Sequence, residues 1–300
     1  MMIVAEPEAA FLFSMYQAAH TEDHGSDIRS GIFETGDKYM VVISEENTTE
    51  VTVYEVQHNG ILMELYKAKG GDWGGNQVNA SYYRLITDIV GIDVMEAFRL
   101  EYEDDFHELF RTFEKKKMVK TSKKDNARIG LFLPFSLLQT FSKTKFLRSY
   151  TNELMNTVVN SIPKYKDRVS FSQGKLRLDA HTFEGLFNES CNSIIYHLKE
   201  LLKFPNLRDV SSIIVVGQFA DSPVFQVALE NAFPTKNVIV PQEAKLAILK
   251  GAVQSSSYFT NRVAMVKGCA VSLNEVSRSR VKVISDHVNK SLSRAYILSS

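Results

Sequence analysis

One stretch, Ser211–Leu229, constrains the fold of this chain more than any other. Its run of β-branched residues, Ile213–Val216, is typical of a buried strand. Gly217 ends that run, and Ser222 followed by Pro223 predicts the start of a helix. A strand, a glycine turn and a helix start can direct backbone N–H groups at a ligand, but they also form ordinary connections in α/β proteins. The stretch predicts an α/β fold and leaves the function open.

Composition excludes several classes of protein. The chain has 300 residues, and its 35 Lys and Arg balance its 35 Asp and Glu. General nucleic-acid binders and membrane-surface binders need a basic excess, so we expect neither partner. No stretch is long and apolar enough for a membrane span, and the N-terminus lacks the basic lead of a signal peptide. Cys191 and Cys269 match no metal or redox spacing, which predicts free thiols in a reducing, cytoplasmic compartment.

Three strand-like runs precede this stretch and predict an antiparallel meander, with a hairpin turn at His58–Gly60. The runs are Lys38–Ile43, Glu50–Gln57 and Ile61–Ala68. Apolar periodicity predicts helices at Pro7–His20, Val78–Val90, Ala97–Lys124, Ser136–Ile162, Thr182–Phe204 and Pro241–Gln254. Shorter strands are predicted at Ile129–Leu133, Arg168–Leu178 (a hairpin), Val238–Val240, Ala270–Leu273 and Val281–Ile284.

A run of lysines closes the predicted helix Ala97–Lys124. Its members are Lys115, Lys116, Lys117, Lys120, Lys123 and Lys124. Such a run is compatible with a nuclear signal or an anionic ligand, and equally with a solvated helix face. His20 and His24 have a spacing that suits metal ligands, but Gly25 breaks the helix and no third ligand lies nearby, so no metal site is expected.

Six short stretches, taken together and in order, resemble the 70-kDa heat-shock proteins of the actin-like ATPase superfamily. They resemble most the divergent heat shock 70 kDa protein 12 branch, across about residues 5 to 257. The stretches are Glu6–Ala10, Gly70–Val78, Phe113–Lys117, Phe171–Arg177, Val215–Pro223 and Val240–Val253. The resemblance implies an α/β fold, namely lobe II of an actin-like ATPase (ribonuclease H-like) domain with a helical and mixed insertion subdomain.

The resemblance also implies domain boundaries and a ligand. Residues 1–33 would be the terminal part of lobe I, and 34–257 lobe II with its insertion at about 92–180, followed by a C-terminal segment at 258–300. Most of lobe I, with its phosphate loop, is expected to be missing from this chain. In the family, ATP or ADP with magnesium is held between the two lobes.

The second phosphate loop of the family should follow the first strand of the meander, and there the chain departs from the pattern. The family has Asp-x-Gly-Gly-Gly-Thr-x-Asp; this chain replaces the first Asp by Ile43 and the three glycines by Glu45–Asn47. Glycines let backbone N–H groups approach a phosphate, whereas side chains obstruct it. Each carboxylate would also repel phosphate, by about 1 kcal/mol in water at about 4 Å and about 4 kcal/mol at an effective dielectric of 20.

Thr48 and Glu50 keep polar groups where the family has Thr and Asp, so the resemblance leaves a phosphate or magnesium contact open at this turn. The alternative is a plain polar hairpin turn. Other nucleotide-contacting positions are matched by Gly74, Gly75, Glu114, Lys117 and Gly217. Of these, the resemblance assigns Glu114 and Lys117 to ribose and adenine. Met118 replaces a usual arginine, and Gln218 replaces a second glycine and would crowd the nucleoside.

Three hypotheses follow. The first is a chaperone-like domain that binds adenine nucleotide weakly and does not hydrolyse it. The second is a pseudo-ATPase lobe that binds no nucleotide and acts through a protein partner or client. The third is a sugar-kinase-like enzyme, which would need a carboxylate base that Ile43 cannot supply. No catalytic residue is expected.

Overall fold

A computed structural model describes residues 4–20, 34–58, 61–121, 128–147 and 149–254 of the chain. Its larger sheet contains β1 (Lys38–Ser44), β2 (Thr49–Val56), β3 (Leu62–Lys69), β7 (Ser212–Val216) and β8 (Asn237–Ile239). The strand order is β3-β2-β1-β7-β8. The first three strands pair antiparallel, while β7 pairs parallel to both β1 and β8. The predicted meander is therefore confirmed, although residues 59 and 60 of its turn lie outside the described ranges.

One face of this sheet packs against helices that follow the meander and flank β7. Alternate residues of a strand point to opposite faces, so Met40, Val42, Ile213 and Val215 share one core. Its helices include α2 (Gly75–Val90), α8 (Asn188–Leu201) and α9 (Pro223–Ala232). β1 and β7 are buried along nearly their whole length, so the two strands lie at the centre of the fold.

The opposite face is covered by α1 (Glu6–His20) and by helix 247–254. Phe11 of α1 meets the Tyr39 ring edge-on, with ring centroids 5.2 Å apart. The helices touch where Gly251 faces the Ala9 carbonyl, since a Cβ on that glycine would overlap the carbonyl oxygen. The result is a mixed α/β architecture with helices on both faces of a five-stranded sheet, consistent with an actin-like ATPase lobe.

Residues 92–185 carry a small second sheet and five helices. The helices are α3 (Ile92–Glu101), α4 (Glu103–Lys117), α5 (Phe135–Thr144), α6 (Asn152–Ser161) and α7 (Ala180–Gly185). The strands β4 (Ile129–Phe132), β5 (Val169–Ser172) and β6 (Lys175–Leu178) are antiparallel in the order β4-β6-β5. Tyr82 of α2 stacks on Phe113 of α4 with ring centroids 4.0 Å apart. This region therefore shares a hydrophobic core with the larger sheet.

Several predicted helices are wrong in extent, because local start signals divide them. Ala97–Lys124 is two helices that break at Tyr102, where the acidic first turn of α4 begins, and α4 ends at Lys117. Ser136–Ile162 is likewise divided, with the Thr151 hydroxyl accepting the Leu154 N–H at 3.1 Å to start α6.

The other two divisions lie on either side of β7. Thr182–Phe204 separates into α7 and α8. Pro241–Gln254 starts as a 3-10 turn at Ala244–Leu246, because Glu243 adopts a left-handed φ of 58° before helix 247–254. The strands predicted at 270–273 and 281–284 lie outside the described residues. Within the described ranges, no helix has the length and apolarity that crossing a bilayer requires.

Candidate functional site

The site residues predicted from the sequence converge at the carboxyl ends of β1 and β7. These neighbouring strands are parallel, and ligands of open α/β sheets bind at such ends. Two turns leave this edge: residues 45–48, which join β1 to β2, and Gly217, which follows β7 with a φ of 101°. The N-terminus of α2 and the C-terminal turn of α4 pack against them.

The turn at 45–48 is a short polar hairpin. The Glu45 N–H donates to the Thr48 carbonyl at 2.9 Å, and the hydroxyls of Ser44 and Thr49 lie 3.1 Å apart below the turn. Thr48 itself is exposed, and its side chain makes no hydrogen bond to any described residue. Among the described residues, Thr48 is thus the one predicted site residue that does not contact the others through its side chain.

Gly74 and Gly75 place the start of α2 directly on this turn. The Gly75 N–H donates to the Glu45 carbonyl at 3.1 Å, and the Asn76 N–H donates to the Glu46 carbonyl at 2.7 Å. A Cβ on Gly74 would overlap both of those carbonyl oxygens, which explains the glycine. The Ser190 hydroxyl fixes the other side by donating to the Trp73 carbonyl at 2.5 Å. The helix N-terminus, ordinarily an anion site, is therefore engaged by backbone oxygens.

The buried Lys117 forms the centre of a polar group whose other members are half-buried, and which we call the Lys117 cluster: Glu46, Asn79, Glu114 and Lys117. The lysine side chain is 0% exposed, and its Nζ lies 2.7 Å from Glu114 Oε2 and 3.2 Å from Glu46 Oε2. It also donates to the Gly75 carbonyl at 3.3 Å. Asn79 Nδ2 donates to Glu114 Oε1 at 2.6 Å. The predicted pair Glu114 and Lys117 is therefore joined, but to protein groups.

Gly217 brings the end of β7 against the same turn. A Cβ at this position would overlap the Ser44 carbonyl oxygen and lie 2.9 Å from Glu45 Oε1. The next residue, Gln218, donates its backbone N–H to Glu45 Oε2 at 3.2 Å. Ser222 occupies the N-cap position of α9 as predicted, but its hydroxyl donates to the Lys117 carbonyl at 3.0 Å and makes no capping bond. That hydroxyl ties α9 to the end of α4.

Electrostatics at the turn favour proton binding. Burial raises the pKa of the Glu46 carboxyl; the Lys117 charge opposes the shift and the Glu114 charge adds to it. Burial also raises the pKa of Glu45, against the Gln218 N–H that lowers it and with the charges of Glu6 and Glu46. Glu46 Oε1 is buried and has no hydrogen-bond partner among the described residues. An anion at the start of α2 would meet these two carboxylates, which opposes its binding.

The sequence identified Glu45 and Glu46 only as obstacles to phosphate. It did not show that Glu45 accepts the Gln218 N–H or that Glu46 pairs with the Lys117 ammonium. It also missed Asn79, which lies one turn along α2 from Gly75 and donates to Glu114 of α4, a contact between two helices that leaves no signal in either one alone. Over the described residues, no group of three or more His, Cys, Asp or Glu side chains is arranged to hold a metal ion.

No protein-family model matches the chain. Among curated proteins, it is 35% identical to heat shock 70 kDa protein 12A of Mus musculus over 222 residues, which is 73% of this chain and 32% of that protein. The human 12A protein is 34% identical over 222 residues, with the same coverage. Human heat shock 70 kDa protein 12B is 32% identical over 223 residues, covering 73% of this chain and 31% of its own length. The chain therefore spans about a third of the length of these relatives.

Proposed function

Because the chain belongs to the 70-kDa heat-shock protein family of actin-like ATPases, we propose that it forms one side of an adenine-nucleotide cleft that binds weakly and does not hydrolyse ATP. We assign residues 34–257 to lobe II, with a ribonuclease H-like sheet and an insertion subdomain at about 92–180. Residues 1–33 are assigned to the end of lobe I, and 258–300 to a C-terminal segment. A chaperone-like role with a protein client, in the cytoplasm, completes this proposal.

One observation carries the proposal: the turn at 45–48 engages the groups that an anion would need. The N–H groups at the start of α2 donate to the Glu45 and Glu46 carbonyls. The Gln218 N–H donates to the Glu45 carboxylate, and the Lys117 ammonium pairs with the Glu46 carboxylate. A phosphate group entering here would displace these contacts and meet two carboxylates, which makes strong binding unfavourable.

Hydrolysis is disfavoured for a separate reason. Ile43 stands near the end of β1, 5% exposed, where the family pattern has a carboxylate. An aliphatic side chain neither accepts a proton nor orients a water molecule on a metal. Opening the turn at 45–48 would therefore restore binding without restoring turnover. The sugar-kinase hypothesis loses its candidate base for the same reason.

Calorimetric titration with ATP and magnesium tests the binding part. We expect the unmodified chain to bind no tighter than about 1 mM. Replacing both glutamates by glycine, Glu45→Gly with Glu46→Gly, should tighten binding by at least about tenfold, because charge and bulk are both removed. The double glutamine variant removes only charge and should gain less. Micromolar binding by the unmodified chain, or no gain in either variant, would contradict the proposal.

Phosphate release by the same proteins tests the catalytic part. All variants should remain at the background rate, because none of them restores a carboxylate at Ile43. Turnover by the unmodified chain would contradict the pseudo-ATPase assignment directly. Thermal melts of each variant control for folding.

A second candidate function is a pseudo-ATPase lobe that binds no nucleotide and acts only through protein contacts. The complete engagement of Lys117 by Glu46, Glu114 and the Gly75 carbonyl favours it. Absence of binding in the double glycine variant, together with a cooperative melt, would select this candidate over the first.

A further inference from the structure

The opposite side of α4 carries a pocket that the proposed nucleotide site does not use. Thr112 and Lys116 lie on one side of the helix, away from Glu114 and Lys117, and Val119 follows on that side just beyond the end of α4. With β4 and the first residue of β6 they enclose about 360 Å³. That volume lies within the range of about 300–1,000 Å³ that is typical of small-molecule sites.

The floor of this pocket is apolar. It is formed by the buried side chains of Tyr82, Phe113 and Leu131, each 1% exposed. At the mouth, Val119 is 41% exposed and Phe132 is 46% exposed. Large apolar side chains beside an open pocket indicate that an apolar body would gain by entering it.

The rim of the pocket is basic. The charged residues that line it in the described part of the chain are Lys115, Lys116 and Lys175, and none of those described lining residues is Asp or Glu. Within the described ranges, none of these three ammonium groups makes an ion pair or a hydrogen bond. An uncompensated set of lysines around an apolar floor is complementary to a molecule with an acidic head group and an apolar body.

We propose that this lysine pocket binds a small amphipathic organic anion, whose head group contacts the rim lysines and whose apolar part lies on the Tyr82–Phe113–Leu131 floor. Both carboxylate and phosphate head groups suit lysine, which acts as a point charge. The pocket does not depend on the nucleotide proposal, because it shares no residue with the Lys117 cluster.

A substitution at Gly130 can fill part of this pocket without straining the backbone. It lies in the edge strand β4, and a Cβ there would meet Lys175 Cδ at 3.6 Å, an ordinary contact. Gly130→Leu would therefore project a side chain toward the pocket. Gly185→Leu is the matched control, because a Cβ at Gly185 meets nothing within 4 Å.

The experiment uses 8-anilinonaphthalene-1-sulfonate as a fluorescent amphipathic anion and N-phenyl-1-naphthylamine as its uncharged counterpart. We expect the unmodified chain to bind the anion about tenfold more tightly than the uncharged probe, since three lysines favour the charge. Gly130→Leu should abolish this binding and Gly185→Leu should retain it. Displacement by decanoate, decyl phosphate and decanol then separates carboxylate, phosphate and uncharged head groups.

A charge-reversal variant, Lys116→Glu with Lys175→Glu, keeps the test decisive if Gly130→Leu does not fold. It should weaken binding of the anion at least tenfold while binding of the uncharged probe changes little. Equal binding of the two probes, or retention of the anion by both the Gly130 and the charge-reversal variants, would overturn the proposal.

Discussion

Lysines that are neighbours in sequence have opposite environments on the two sides of α4. Lys117 is fully buried and held by Glu46, Glu114 and the Gly75 carbonyl. Lys115 and Lys116, next to it in sequence, line an open pocket and make no ion pair with any described residue. Lysines in one run of sequence therefore need not have the same role. The helical period divides it into a charge that fixes the fold and charges that are available to a ligand.

This difference follows from the residues that face each side. The turn at 45–48 presents two carboxylates to Lys117, whereas β4 presents glycine, leucine and phenylalanine to Lys115 and Lys116. A buried charge must be paired, and an exposed lysine rim has no such requirement. The same substitution made on each side of α4 would show whether the two sets of lysines also differ in their contribution to stability.

The largest effect is expected when the buried lysine loses its charge. Lys117→Met keeps most of the volume but leaves the Glu46 and Glu114 carboxylates without their cation. Removing one partner of a buried ion pair costs about 3 kcal/mol, and partial exposure of both carboxylates places this case at the lower end of the usual range. Urea denaturation should therefore show a free energy of unfolding lowered by about that amount.

Lys116→Met is the control on the other side of the helix. Because its ammonium has no described partner, the free energy of unfolding should change by less than about 0.5 kcal/mol. Equal losses in the Lys116 and Lys117 variants would mean that the cluster does not stabilise the fold.

A smaller effect should distinguish two glycines, one on each side. Gly74→Ala places a Cβ on the Glu45 and Glu46 carbonyl oxygens, so α2 and the turn must separate. Overpacking of this kind costs about 2 kcal/mol. Gly130→Ala, facing the lysine pocket, meets only an ordinary contact and should leave stability unchanged or slightly raised. Thermal melts that shift equally for both variants would contradict the tight docking of α2.

Within the described residues, the sequence predicted the strands and their antiparallel meander from local pattern, and the family resemblance predicted that Gly74, Gly75, Glu114, Lys117 and Gly217 come together. It did not predict where helices divide, since the apolar spacing of Phe98, Tyr102 and Phe106 continues across the break at Tyr102 and masks the acidic first turn of α4. Nor did it predict the partners of Glu46. A turn facing a lysine 71 residues away is a product of the fold and leaves no periodic signal.

The smallest expected effect is a change of stability with pH, which separates the charge of Glu46 from its bulk at the turn. The pKa of Glu46 is raised by burial above its ordinary value of 4.5, so between that value and neutrality the native state binds more protons than the unfolded chain. Its contribution to stability is therefore fully present at and below about pH 4.5 and is lost as pH rises.

Glu46→Gln removes this dependence, so the stability of the unmodified chain relative to the variant should decline between about pH 5 and about pH 7. Taking the difference cancels His197, whose pKa burial lowers, and leaves only the part of the Glu45 shift that the Glu46 charge causes, which acts in the same direction. Glu153→Gln is the contrasting control. Its own backbone N–H and the Thr151 hydroxyl lower the pKa of Glu153, so its stabilisation is lost only as pH falls below about 4.5, and the difference should be flat above pH 5. A flat difference for Glu46 as well would mean that its carboxylate is stabilised by Lys117 as strongly as water would stabilise it, and the turn at 45–48 would then obstruct an anion by bulk alone.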